Sequence, residues 1–205
     1  MKFSKIQNIF LAVILTWQAQ SFVPADYAGK SLPTTGVNIK AGLEVIEENK
    51  IQELSKLNIR WYLDGKLLTQ GVGLKKINFR ATRAATYSHF LRAAIQDEEE
   101  ISGGVNIPII SPKLIIKTPS PAVNYIPLGK TLLQAVPYFF NVSGLKELVF
   151  NWVVNEKTIK GANVLELELA APVPQNSNLR IRVTAQNLNN ELEFGSKEIN
   201  LYVQP

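Results

Sequence analysis

The chain has 205 residues, of which 46% are hydrophobic and 19% charged, the balance of a globular protein and not of a disordered one. It has no cysteine and a single histidine, which excludes a disulfide framework, thiolate metal sites and a cysteine nucleophile, and leaves little for zinc or histidine chemistry. The formal charge of +5 comes from 22 basic and 17 acidic residues mixed along both halves, without the clustered basic face of a nucleic-acid binder.

In chain order, the first feature is an apolar run from Ile9 to Trp17 behind Lys2 and Lys5. A basic start, a short apolar stretch and then small residues are the layout of an export signal. It is predicted over residues 1–21, with cleavage near Ala19-Gln20-Ser21 or Val23-Pro24-Ala25. The run is well short of the ~20 residues that span a bilayer. The same residues have two other readings: a buried strand or helix, or an uncleaved anchor reaching from Ile6 to Ala25. Without the signal the charge is +3, and the mature chain is expected to be soluble with no membrane span. Residues 22–36 are rich in small and turn-forming types and read as an N-terminal tail.

After the tail, side chains alternate with period 2. A strand is expected from about Val37 to Ile46, then a charged loop. Ile59, Trp61 and Leu63 fall on one face and Asn58, Arg60 and Tyr62 on the other, a strand with one buried side. Asp64-Gly65 follows as a hairpin turn, because a type I′ turn needs positive φ at both central residues. Leu67-Leu68 begins the return strand, and Leu74–Phe79, Tyr87–Ile95 and Val105–Ile110 complete the unit. A boundary falls in Ser111-Pro112-Lys113 or slightly later, in Thr118-Pro119-Ser120-Pro121, where prolines stiffen a linker.

The second half repeats this order. Leu148, Phe150, Trp152 and Val154 alternate inward, and Asn155-Glu156 takes the turn position. Val164–Leu169, Leu179–Ala185 and Ile199–Val203 follow as strands. Trp61 and Trp152 are 91 residues apart, and Leu179 set against Tyr87 gives an interval of 92. Short strands with frequent turn signals predict an all-β chain of two tandem immunoglobulin-like (Ig-like) β-sandwich domains, 37–113 and 114–205. Trp61 and Trp152 are expected in the cores as third-strand tryptophans, with Tyr87 as a structural core residue in the manner of a tyrosine corner.

The stretch Leu57–Phe79, with its Trp61-Tyr62-Leu63-Asp64-Gly65-Lys66 hairpin, resembles the hairpin of bacterial Ig-like or PKD-like domains. Trp152-Val153-Val154-Asn155-Glu156-Lys157 resembles a second copy, with Glu156 in place of the turn glycine, and Leu133–Phe140 adds to the likeness. The resemblance covers roughly residues 37–203. It is to exported tandem Ig-like proteins of small uncultured bacteria, and it implies a surface or envelope location.

Few residues point to chemistry. His89 lies on a strand, and a general base would need a nucleophile or carboxylate within reach, which nothing local supplies. The acidic run Asp97-Glu98-Glu99-Glu100 offers hard oxygen ligands for calcium but lacks the spaced ligand pattern of a calcium loop, so a solvated hairpin tip is expected. Leu32-Pro33-Thr34-Thr35-Gly36 spells a sortase pentapeptide far from the C-terminal position such a signal needs. Gly29-Lys30-Ser31 and Gly129-Lys130-Thr131 end like a P-loop, but Pro24 and Asn124 stand where its first glycine belongs. Asn141-Val142-Ser143 is a glycosylation sequon, relevant only in a eukaryotic source. Tyr138, Phe139 and Phe140 cannot all point inward, which makes them a candidate recognition patch.

The expectation is therefore a non-enzymatic, exported interaction or spacer module with no cofactor and no metal site. Its partner would be an unidentified protein or glycan at the cell surface, not a nucleic acid. The alternative is a carbohydrate- or ligand-binding module that works with a separate enzyme. A hydrolase is the remaining class and would need an exposed carboxylate pair across a pocket.

Overall fold

The computed structural model describes residues 11–96, 100–119, 124–169 and 177–204. The chain is all-β, and it divides into two compact units. Unit 1 holds residues through Gln20 and Lys30–Ile110, and unit 2 holds Ser21–Gly29 and residues from Ser111 onward. Each is an Ig-like β-sandwich of two sheets around its own apolar core, antiparallel throughout except where β10 (Tyr125–Pro127) joins β16 (Asn190–Gln204) in parallel.

In unit 1, one sheet is built on β2 (Asn38–Glu47), with β1 (Leu11–Ala19) along one edge and β3 (Lys50–Ile51) and β6 (Lys76–Arg80) along the other. The facing sheet has the order β5-β4-β7-β8, from β4 (Asn58–Leu63), β5 (Lys66–Val72), β7 (Ser88–Gln96) and β8 (Glu100–Pro108). In β2, Ile39, Ala41, Leu43 and Val45 are buried and the residues between them are not, the period of a strand with one face in a core. Glu48 and Asn49 both take positive φ, so a tight turn returns the chain into β3.

Unit 2 repeats the plan. β9 (Lys113–Lys117), β11 (Gly129–Tyr138) and β14 (Val164–Leu169) form one sheet. β10 (Tyr125–Pro127), β16 (Asn190–Gln204), β15 (Asn178–Asn187), β12 (Leu148–Val154) and β13 (Lys157–Gly161) form the other. A 3-10 turn, Leu145–Glu147, precedes β12.

Trp61 and Trp152 are both fully buried. The indole N–H of Trp61 donates to Leu74 O (2.8 Å) and that of Trp152 to Ala162 O (3.1 Å), which satisfies the one polar group each ring carries into its core. Asp64-Gly65 and Asn155-Glu156 are all at positive φ, so Glu156 holds the same turn without the glycine.

Two segments read from the sequence take a place in unit 1, and two further expectations are corrected. The apolar run assigned to an export signal contributes β1, paired residue for residue with β2 from Leu11↔Glu47 to Ala19↔Ile39. Val13, Leu15 and Trp17 pack on the unit 1 core, while Ile14, Thr16 and Gln18 face out. The segment 22–36, expected as a tail, is the connection from β1 to β2. Tyr87 is 60% exposed, because it precedes β7 and pairs by its backbone with Ile109; the inward place is taken by His89. Ala93 lies opposite Trp61 and Val183 opposite Trp152, an interval of 90, so Leu179 corresponds to His89 and not to Tyr87.

Candidate functional site

The repeat brings together a cluster in unit 1 that sequence spacing does not reveal. The turn after β4 docks against β7: Asp64 N–H donates to Phe90 O and Phe90 N–H donates to Asp64 Oδ1, both at 2.9 Å. Unit 2 makes the same pair with Asn155 and Arg180, at 3.0 and 2.9 Å. The charge on Asp64 is what unit 1 adds. Its Oδ2 accepts from His89 Nδ1 (2.7 Å) and Arg83 Nε (2.9 Å). His89 is buried, and its Nε2 accepts from the backbone N–H groups of Thr82 (3.1 Å) and Arg83 (3.3 Å). These partners set the neutral tautomer with the proton on Nδ1.

A carboxylate–histidine pair resembles catalytic machinery, but here both ends are closed. The nitrogen that would take a proton from substrate already accepts from two amides, so it has no lone pair for one. The cluster is a clamp that ties the loop between β6 and β7 to the β4–β5 turn. In unit 2 the same positions hold Asn155 and Leu179, and no such clamp forms.

Burial pushes the Asp64 carboxyl up, but the Phe90 N–H, Arg83 and His89 outweigh it and hold it down at about 2, against an ordinary 3.8. A carboxylate depressed in the folded state contributes stability that is full above pH ~4 and lost as the pH falls from ~4 to ~2. With the side chain 24% exposed, the contribution is discounted to ~1–2 kcal/mol. Asp64→Asn keeps the acceptor for Phe90 and removes the charge. It is expected to lower unit 1 stability by that amount at pH 7 and by almost nothing at pH 2, read by urea denaturation at both values.

The aromatic run does not form a free patch. Phe140 and Phe139 are buried and Tyr138 is half-buried. The covering residues come from the β1–β2 connection. Phe22 N–H donates to Phe140 O (2.7 Å) and Phe139 N–H donates to Phe22 O (2.6 Å). Tyr27 meets Tyr138 and Phe139 edge to face, with ring centroids 5.5 and 5.7 Å apart, and Asp26 pairs with Lys117 at 3.2 Å. Phe139 has φ of +66, a strained conformation for a bulky residue, and the two bonds to Phe22 flank it.

The sortase-like pentapeptide is structural. Leu32–Gly36 is knitted into unit 1: Pro33 O accepts from Ile110 N–H, Gly36 O from Arg80 Nε, and Thr34 is buried. Asp97, Glu98 and Glu99 lie outside the described residues. Among the described residues no three histidine or acidic side chains gather as metal ligands, and no helix is long and apolar enough to cross a membrane.

The surface feature the sequence reading missed lies at one end of unit 2. Leu188, Leu192 and Phe194 are 60%, 89% and 58% exposed, with Val149 and Leu145 partly exposed beside them. Val149, Gln186 and Phe194 stand in one row across β12, β15 and β16, and Leu188 N–H donates to Glu147 O. Two carboxylates fix the loops beneath. Buried Glu193 accepts from Asn141 N–H and Asn187 Nδ2, and Glu147 accepts from Ser143 N–H and Asn189 Nδ2. Period-2 alternation hid the patch, because it predicts which residues leave the core and not whether they gather.

No protein-family model matches the chain, and no curated protein does. Among solved structures, it is similar to the three N-terminal domains of the highly immunogenic outer capsid protein (Hoc) of bacteriophage RB49. That match has 12% identity and a TM-score of 0.49, and covers 95% of this chain and 59% of that one. It is also similar to the fibronectin(III)-like modules of Clostridium thermocellum CbhA (14% identity, TM-score 0.29, covering 92% and 94%). The amphioxus IgVJ-C2 molecule is a third (12%, 0.32, covering 92% and 97%).

Proposed function

We propose that this chain is a non-enzymatic Ig-like interaction module, exported and held at the cell surface or envelope. The observation that supports the reading best is the exposed apolar end of unit 2. Leu188 stands in the β15–β16 turn and Leu192 and Phe194 on β16, beside backbone already held by Glu147 and Glu193, so little conformational entropy is lost on docking. Exposed apolar side chains gathered at one end of a sheet are a mark of protein contacts. Five such side chains fall below the roughly 20–30 residues a side of a stable interface, which suits a reversible contact with another protein.

Leu192→Asp with Phe194→Asp tests this. Both side chains are solvent-facing, so the melting temperature is expected to stay within about 2 °C, consistent with surface substitutions. Capture of a protein partner from the native cell surface is expected to be lost. Capture unchanged by the pair of substitutions would remove this surface from the reading, and no specific partner for the intact chain would leave a spacer role.

A second reading, glycan binding, has one feature in its favour. On the outer face of β4, β7 and β8, the Phe90 ring lies over Gly104, where a Cβ would sit 2.4 Å from it, and Arg92 stacks on Tyr62 at 4.3 Å. Phe90 stays 44% exposed, a flat ring open to stacking. Glycan binding lost in Phe90→Ala and kept in the Leu192/Phe194 variant would favour this reading over the first.

A further inference from the structure

The chain crosses between its two units three times, not once. It passes from unit 1 to unit 2 after Gln20, returns at Lys30, and passes over again after Ile110. The excursion is anchored on both sides within unit 1. Before it, Ala19 pairs with Ile39 and Gln20 N–H donates to Asn38 O (3.0 Å). After it, Lys30 lies over the Trp17 ring at 3.3 Å, Pro33 O accepts from Ile110 N–H (3.0 Å), and Gly36 N–H donates to Ala81 O (2.7 Å). Between these anchors, Phe22 packs on the unit 2 core and bridges Phe140, and Tyr27 packs on Tyr138 and Phe139.

We propose that Ser21–Gly29 is a strap that makes the stability of unit 2 depend on the folding of unit 1. The physical basis is loop entropy. With unit 1 folded, both ends of the strap are held and its effective concentration at the aromatic site is high. With unit 1 unfolded, the same segment must be drawn from a flexible chain, and docking it costs more conformational entropy. Unit 2 needs the docked strap because Phe22 supplies the two backbone bonds on either side of the strained Phe139. Without those bonds, the backbone polar groups at Phe139 and Phe140 lose their partners. The coupling runs through the chain itself, and a single interdomain linker would not create it.

Hydrogen exchange on the full chain tests the strap, with amides of β7 reporting unit 1 and amides of β15 reporting unit 2. Ile59→Ala weakens unit 1 in its core, far in sequence from the strap and with no part in unit 2. With the strap intact, Ile59→Ala is expected to speed exchange in β15 by roughly tenfold as well as in β7. In a Phe22→Ala, Tyr27→Ala background, β15 exchange is expected to be faster at the outset and indifferent to Ile59→Ala. Ile59→Val provides the same comparison at a smaller perturbation if the alanine variant fails to fold. Exchange in β15 that ignores both Ile59 variants while the strap is intact would overturn the proposal. So would an equal response with and without Phe22 and Tyr27.

Discussion

Trp61→Ala is expected to destabilise unit 1 by ~3–5 kcal/mol, and Trp152→Ala to destabilise unit 2 by a similar amount. Both side chains are fully buried, each among the largest groups in its core. Each also leaves a backbone carbonyl, Leu74 O or Ala162 O, without the indole donor it now has. Units of this size bury only somewhat over 60% of their unfolded surface, and no disulfide supplements either one. Against a total of 5–15 kcal/mol for a domain, that loss removes much of the margin. Chemical denaturation checks it, and the larger change in hydrogen exchange, in β7 for Trp61→Ala and in β15 for Trp152→Ala, assigns the loss to a unit. A normal transition in either variant would show that the indole is not the centre of that core.

The architecture was legible because it is written in local periodicity. Alternation in Ile59–Leu63 and Leu148–Val154 named the central strands, and Asp64-Gly65 named a turn whose two φ values are positive. The departures have different physical causes. Tyr87 has the parity of a core residue, but the strand begins one residue later, and parity says nothing about where a sheet ends. The Asp64–His89 pair spans 25 residues and depends on β4 and β7 being neighbours, which is a tertiary fact. Tyr138–Phe140 read as an exposed patch because its cover, Phe22 to Tyr27, comes from more than 100 residues earlier in the chain. The apolar run before it carries two patterns at once, since a short hydrophobic stretch satisfies an export signal and an edge strand equally well.

That ambiguity at Leu11–Ala19 has a measurable resolution, and it carries the second large effect. β1 stands to β2 as β9 stands to β11, with Leu15 opposite Leu43 where Ile116 is opposite Ala135. Val13 also fills the space beside Gly103, where a Cβ would lie 2.7 Å from its Cγ1. A chain that starts at Phe22 therefore loses a whole edge strand, leaves the β2 backbone unpaired along that side, and uncovers core that Val13, Leu15 and Trp17 now shield. At ~1.5–3 kcal/mol for each side chain if fully buried, and less for these partly buried ones, the loss is ~4 kcal/mol or more before the ladder bonds are counted. Such a chain is expected to show an unprotected β7 by hydrogen exchange and a β15 that is still folded but exchanges faster, since the strap has lost its anchors in unit 1. Point variants separate the two readings without truncation. Leu15→Asp places a charge on the inward face and is expected to cost ~3 kcal/mol, while Ile14→Asp, on the outward face, is expected to cost under ~0.5 kcal/mol. An export signal depends on the apolarity of the run and not on its faces, so under that reading both substitutions impair export alike and neither changes the stability of the folded chain. The intact mass of the native protein gives the independent check: with β1 retained it includes Leu11–Ala19, and with a removed signal it begins at Phe22 or Asp26.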